Sequence, residues 1–215
     1  MKFRFIILLL TIALQGIAQQ GYQVIYKRGD MYSSITFNGE RKRLPSMGHK
    51  IVFADSLCFS YYITGSDPLK KAKLYGEKLM HHAMLYNKNS NMVYSEVNWP
   101  SKKDKYLIAD TSKKFNWIFW DDTKLVLGYK CKPALTIDEK NDSTLVWFTP
   151  EIPEPYGPVG FYGLPGLVLE VYDQRWNVNF FAERIEKGPF SVVFPNEGKI
   201  ISSKDYIALR NRQDH

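Results

Sequence analysis

The residues best equipped for chemistry are few and poorly grouped. The 215-residue chain holds four histidines (His49, His81, His82 and His215) and two cysteines, Cys58 and Cys131. His81 and His82 are adjacent, so on a helix their rings point about 100° apart and do not converge on one metal. A cysteine nucleophile needs a thiolate beside a base, and Cys131 with one of the histidines is the pair the sequence leaves open. Asp121-Asp122 stand between Trp120 and Thr123-Lys124, where a hairpin turn is expected; turn chemistry explains them better than acid–base work does. No G-x-S-x-G elbow, phosphate loop, H-E-x-x-H, paired C-x-x-C or dinucleotide fingerprint is present. These residues give no expectation of a metal, a cofactor or a catalytic set, and a hydrolase or thiol enzyme lacks an identifiable nucleophile.

The chemistry of contact is richer. Aromatic residues make up 15% of the chain, and five of its eleven prolines and four of its fourteen glycines fall in residues 150–166, PEIPEPYGPVGFYGLPG. No sheet interior tolerates that density, because proline removes ladder donors and glycine weakens strands. The segment must be a long loop, and loops of this length are often functional. Two roles stand open for it: a rigid strap closing one end of a sheet, or a loop touching a ligand or partner. The candidate contact residues are Trp147 and Phe148 on the preceding strand, then Tyr156, Phe161, Tyr162, Gly163, Leu164, Pro165 and Gly166.

The elements that must position them are mostly strands. Period-two segments rich in β-branched and aromatic residues predict strands at 22–27, 31–37, 51–63, 84–86, 92–97, 106–109, 116–120, 125–137, 144–149, 167–172 and 178–185. Hairpins are expected at 28–30, 87–91, 138–143 and 173–176. A helix is expected over 69–83, behind Asp67-Pro68, and a short one after Ser202-Ser203. The fold class is mainly β (α+β): one curved antiparallel sheet or half-barrel of about 8–11 strands with one or two short helices. Residues 144–149 and 167–172 carry apolar side chains on both faces. Such strands need cover on both sides, from a helix layer, a second sheet or a ligand.

Lys2 and Arg4 precede a ten-residue apolar run at 5–14, and Gly16-Ile17-Ala18 supplies small residues at a cleavage site. Residues 1–18 therefore read as a secretory signal peptide, with a single β domain over 19–215. The run is too short to cross a bilayer about 30 Å thick. The formal charge of +7 is too weak to predict nucleic-acid binding. Basic clusters at 41–43, 70–73, 102–105 and 113–114 read as solvated surface, with anionic lipid headgroups as the alternative. In an oxidising compartment Cys58 and Cys131 form a possible disulfide, with two buried thiols as the other reading.

Gly163-Leu164-Pro165-Gly166-Leu167-Val168 differs at one position from the hallmark of the GLPGLI family of Bacteroidota envelope proteins, and the chain resembles that family. Leu127-Gly128-Tyr129-Lys130-Cys131-Lys132, then Ala134, Trp147-Phe148-Thr149-Pro150-Glu151-Ile152-Pro153 and Gly157-Pro158, follow the family's extended pattern in order. The resemblance implies a Gram-negative envelope setting, in the periplasm or at the outer-membrane periphery, and carries no established activity. The order of strands around the loop also resembles that of LolA-type half-barrels. Three functions follow as expectations. The first is a binding protein holding a lipid, lipoprotein or other apolar small molecule on a concave aromatic face under the loop. The second is a module docking on an outer-membrane protein of the TonB-dependent-receptor type. The third is a hydrolase or thiol enzyme.

Overall fold

The computed structural model describes residues 20–30, 34–37, 40–43, 47–64, 84–98, 105–192, 194 and 198–213. The expected signal peptide, the helix over 69–83 and His81, His82 and His215 lie outside the described residues. Strands dominate: β1 (Gly21–Asp30), β2 (Ser34–Phe37), β3 (Glu40–Arg43), β4 (Met47–Ala54), β5 (Leu57–Thr64), β6 (Met84–Asn87), β7 (Met92–Asn98) and β8 (Lys105–Thr111). The second half holds β9 (Ile118–Phe119), β10 (Lys124–Val126), β11 (Tyr129–Ile137), β12 (Ser143–Thr149), β13 (Leu167–Asp173), β14 (Val178–Gly188) and β15 (Lys199–Ile201), then helix α1 (Ser203–Gln213).

Thirteen strands form one open sheet in the order β10-β11-β12-β13-β14-β1-β4-β5-β6-β7-β8-β15, with β9 also pairing β11; β2 and β3 form a separate ribbon. Every pairing is antiparallel except that of β15 with β8. Strand β1 joins the two halves by lying between β14 and β4. The mainly β, single-sheet class read from composition and periodicity is the architecture found.

Three strand expectations are corrected. The stretch 51–63 is not one strand but the second half of β4 and most of β5, folded back at Asp55-Ser56, where Asp55 takes φ +53°. The stretch 125–137 is likewise a hairpin, turned at Leu127-Gly128 with φ +51° and +84°. Those two folds raise the strand count above the expected range. The third correction concerns 28–30, which do not turn: β1 runs straight through them, pairing Arg28 with Phe180 and Asp30 with Val178. Long-range pairing overrides the local Gly-Asp turn signal there. The hairpins β6–β7, β11–β12 and β13–β14 and the helix after Ser202-Ser203 match expectation.

The sheet's core face gathers Val24 and Tyr26 of β1, Ile51 and Phe53 of β4, Val146 and Phe148 of β12, Val171 of β13 and Phe180 of β14, each 3% exposed or less. Residues 150–166, the strap, lie on this face and add Ile152, Tyr156, Phe161, Tyr162 and Leu164 to the same core. The strap meets β4 and β5 from the first half and β12–β13 from the second, so the sheet curves around it.

Candidate functional site

Four polar ties hold the strap. Val159 N–H donates to His49 Nε2 (3.2 Å), Tyr156 Oη–H to Asp55 O (3.3 Å), Lys88 Nζ to Glu154 Oε2 (2.7 Å), and Lys130 N–H to Glu151 Oε1 (2.7 Å). Its ends close on β13 through Leu167 N–H to Ile152 O and Val168 N–H to Tyr156 O. Tyr26 Oη–H also donates to Val168 O at 2.7 Å. Tyr162 stacks on Tyr86 with ring centroids 4.2 Å apart and planes 7° off parallel. Burial pushes the Tyr162 phenol well above its ordinary range.

The structure brings Phe148, Tyr156, Phe161, Tyr162 and Leu164 together, but as core. Gly163 and Pro165 are exposed, and Gly166 is buried. Of the strap residues expected to contact a ligand or partner, the large apolar ones fill the concave face themselves. The physical reason is the drive to remove apolar surface from water: a half-barrel of this size exposes an apolar floor, and the nearest apolar side chains in sequence cover it. Beside the strap, among the described residues, lies a groove of about 390 Å³ lined by Phe115, Thr136, Asp138, Thr144, Phe161 and Arg175 among others. Its polar, mixed-charge lining does not suit an acyl chain.

Trp147 points the other way. Strand alternation places Leu145 and Trp147 of β12 opposite Val146 and Phe148, and their register partners Tyr172 and Glu170 follow them to the outer face. Lys124 of β10 lies across it, its ammonium 4.3 Å over the Trp147 ring. That ammonium pairs with Glu170, whose Oε2 also accepts the Tyr172 hydroxyl at 2.9 Å. Burial, reinforced by Glu170, pushes the Tyr172 phenol up to about 12. Leu135, Leu145, Trp147, Tyr172 and Phe181 are half-buried on this face. At the sheet's edge Ile118, opposite Leu135, joins this face, whereas Phe119, opposite Ala134, and Leu125, opposite Lys130, lie on the other; Leu125 is 73% exposed, Ile118 and Phe119 53%, Leu127 45% and Trp120 42%.

The chemistry of single residues is quieter. Asp121 and Asp122 are exposed, and Asp122 Oδ1 accepts Thr123 N–H at 2.7 Å, as turn residues do. Cys58 and Cys131 are buried free thiols in separate surroundings, Cys58 near Glu154 and Tyr156, Cys131 near Lys124 and Glu170. The possible disulfide is therefore not formed. Cys58 moves to the core side because the turn at Asp55-Ser56 sets it opposite Phe53, a phase no single-strand reading gives. Burial raises both thiols, Cys131 to about 11, the reverse of what a nucleophile requires. Iodoacetamide at pH 8 is accordingly expected to leave both unmodified in the folded protein and to label both in urea, read as mass increments.

One pairing was invisible in sequence. His49 Nε2 stands 2.7 Å from Ser60 Oγ, with both residues fully buried. The two are eleven residues apart, and only the β4–β5 register, which sets His49 opposite Tyr62, brings them together. The distance is that of a base and its nucleophile, but Val159 N–H occupies the same nitrogen and the strap seals the pair from solvent. Among the described residues no three His, Cys, Asp or Glu side chains converge as a metal site, and no helix is long and apolar enough to cross a membrane.

Residues 76–170, spanning β6 through the strap into β13, match the model of a family described as "Protein of unknown function (Porph_ging)". No curated protein matches the sequence. The fold is similar to that of PNGF-II, solved in the C2 and P21 space groups, with TM-scores of 0.63 and identities of 17% and 18%. The alignments cover 88% of this chain but 32% and 33% of PNGF-II. This chain thus spans about a third of that protein's length, and the likeness is one of fold. An uncharacterized conserved protein from Thermus thermophilus aligns over 88% of this chain and 93% of its own, at TM-score 0.42 and 5% identity.

Proposed function

We propose that the protein is a non-enzymatic docking module of the cell envelope, engaging a partner protein through the outer face and free edge of β9–β13. Its concave face is already occupied by the strap, so the expected surface for an apolar ligand serves the protein's own stability. The outer face and the edge beside it carry the apolar side chains left over, and exposed apolar surface of this kind marks interaction sites. A lysine–glutamate pair set among half-buried aromatics, next to an edge that carries exposed aliphatic side chains, is an interface composition. The envelope setting is the one the sequence of residues 1–18 and the GLPGLI-type blocks imply.

The observation that carries the reading is Leu127. The β10–β11 turn has positive φ at both central residues, a type that asparagine-glycine fills at little cost. A leucine there costs roughly 1 kcal/mol of backbone strain, yet its side chain is 45% exposed and gives the fold little in return. Leu127→Asn is expected to raise the melting temperature by about 3 °C while weakening docking. In an extract of the native envelope, the wild-type chain should co-elute with one specific polypeptide that both Leu127→Asn and Leu125→Asp lose. Retention of that partner by both variants, or a Leu127→Asn protein less stable than wild type, contradicts the assignment.

A further inference from the structure

The register of β10 fixes where the last hydrogen-bonding groups of the sheet point. Leu127 and Gly128, both at positive φ, make a two-residue turn, so the residues flanking it, Val126 and Tyr129, exchange both backbone bonds. Alternation then makes Lys124 and Cys131 the next bonded pair and leaves Leu125 and Lys130 unbonded to each other. Lys130 agrees: its N–H donates at 2.7 Å to Oε1 of Glu151, just past the end of β12 and away from β10. Leu125 therefore directs its own N–H and C=O outward. On this side β10 is the last strand of the sheet, and among the described residues no strand pairs with its outer edge. The same alternation along β11 bonds Ile118 to Leu135 and turns the backbone groups of Phe119, opposite Ala134, outward as well. We infer that this edge takes an added strand: an extended segment of the partner protein pairs antiparallel with β10 through the N–H and C=O of Leu125, with an apolar side chain beside Leu125 and a basic one toward Asp121-Asp122. The inference rests on the docking reading of this edge and supplies the manner of contact.

Open edges invite indiscriminate pairing, and proteins blunt them with short strands, prolines and charges. Most of this edge is blunted in that way. Pro133, whose nitrogen carries no hydrogen, lies on β11 between the partners of β9 and those of β10, and the edge strand is interrupted there over residues 120–123. Within the interruption Asp122 Oδ1 accepts Thr123 N–H at 2.7 Å, which closes that amide to a partner. Leu125 is left unguarded. The neighbouring cation, Lys124, is drawn onto the outer face by Glu170 and the Trp147 ring. Leu125 is also the most exposed large apolar side chain among the described residues, at 73%, and Phe119 on the same face is 53% exposed. Unpaired ladder groups beside a bare apolar side chain are the two contacts that strand addition uses, the first for affinity and the second for selectivity. The exposed carboxylates of Asp121 and Asp122 precede β10. A segment running antiparallel to β10, as in every pairing of the sheet but one, brings its C-terminal end to them, and they favour a basic residue there.

Fluorescence anisotropy tests this with a labelled peptide of alternating valine and threonine ending in two arginines, and with the same peptide N-methylated along its centre. Methylation removes the ladder donors and leaves every side chain in place. The wild-type protein should bind the plain peptide at least about tenfold more tightly than the methylated one. Leu125→Pro should bind the plain peptide at least about tenfold more weakly. It should still melt within about 3 °C of wild type, because a proline whose missing N–H faced solvent costs an edge strand no ladder bond. Equal binding of the two peptides by the wild-type protein, or binding of neither at about 1 mM, overturns strand addition whether or not the variant folds. The envelope polypeptide judges docking separately. If wild type and Leu125→Pro hold it equally while Leu125→Asp loses it, docking stands and strand addition falls; if wild type holds none, docking itself falls. A wild-type dimer that Leu125→Pro dissolves gives the edge to a second copy of this chain and overturns the choice of partner.

Discussion

Replacing Gly166 by alanine is expected to destabilise the protein by at least about 3 kcal/mol, the upper range of overpacking penalties. A Cβ built on Gly166 meets Thr149 O at 2.2 Å, Thr149 C at 2.7 Å and Pro150 Cα at 3.0 Å. All three are backbone atoms, so no side-chain rotation relieves the clash. Either the strap's first residues move away from its last, or the Leu167 N–H to Ile152 O bond breaks. For a chain of this size the drop in melting temperature is roughly 6–12 °C. Gly163 provides the internal comparison. It sits at φ +88° with nothing within 4 Å of an added Cβ, so Gly163→Ala costs only backbone strain, about 1 kcal/mol. The two glycines stand three residues apart in one motif, but their roles differ: Gly163 supplies conformation and Gly166 supplies room. Thermal denaturation of the two variants side by side checks this, and equal losses would refute it.

The second large effect is expected from Leu164→Ala. Leu164 is 2% exposed among the core side chains, so truncating it should cost about 2–5 kcal/mol through lost burial and the cavity left behind. Leu125→Ala, at a residue 73% exposed, should stay within about 0.5 kcal/mol. Urea unfolding measures both. If Leu164→Ala is as benign as Leu125→Ala, the strap is a surface loop and not part of the core. The two variants therefore separate the side chains that build the half-barrel from those left over for partners.

Much of this architecture is legible in sequence because β-structure advertises itself by period two. The alternation in 144–149 assigns Val146 and Phe148 to one face and Trp147 to the other, as the register has them, whereas in 167–172 a bulge breaks it and sets Val168 opposite Phe148 on the core face. The proline-glycine cluster correctly marks a long ordered loop. Legibility fails where a two-residue turn sits inside an apolar run. Asp55-Ser56 and Leu127-Gly128 reverse the chain there, and the fold-back inverts the alternation, which sets Cys58 on the same face as Phe53. It fails again for the strap. Tyr156, Phe161, Tyr162 and Leu164 are apolar enough to be either a contact surface or a core, and the choice depends on whether the sheet behind them curves. The His49–Ser60–Val159 cluster is beyond sequence altogether, because three distant segments meet there through register and loop path alone.

The central claim is that this protein meets its partner with the outer face and free edge of β9–β13 while the strap fills its concave side. Site-specific photo-crosslinking in the native envelope tests it most directly, with a benzophenone side chain placed at position 125 in one strain and at position 161 in another. The structure predicts a single protein adduct from position 125 that disappears in the Leu127→Asn background, and none from position 161. A lipid-sized or protein adduct from position 161, with position 125 silent, would contradict it and return the function to the concave face.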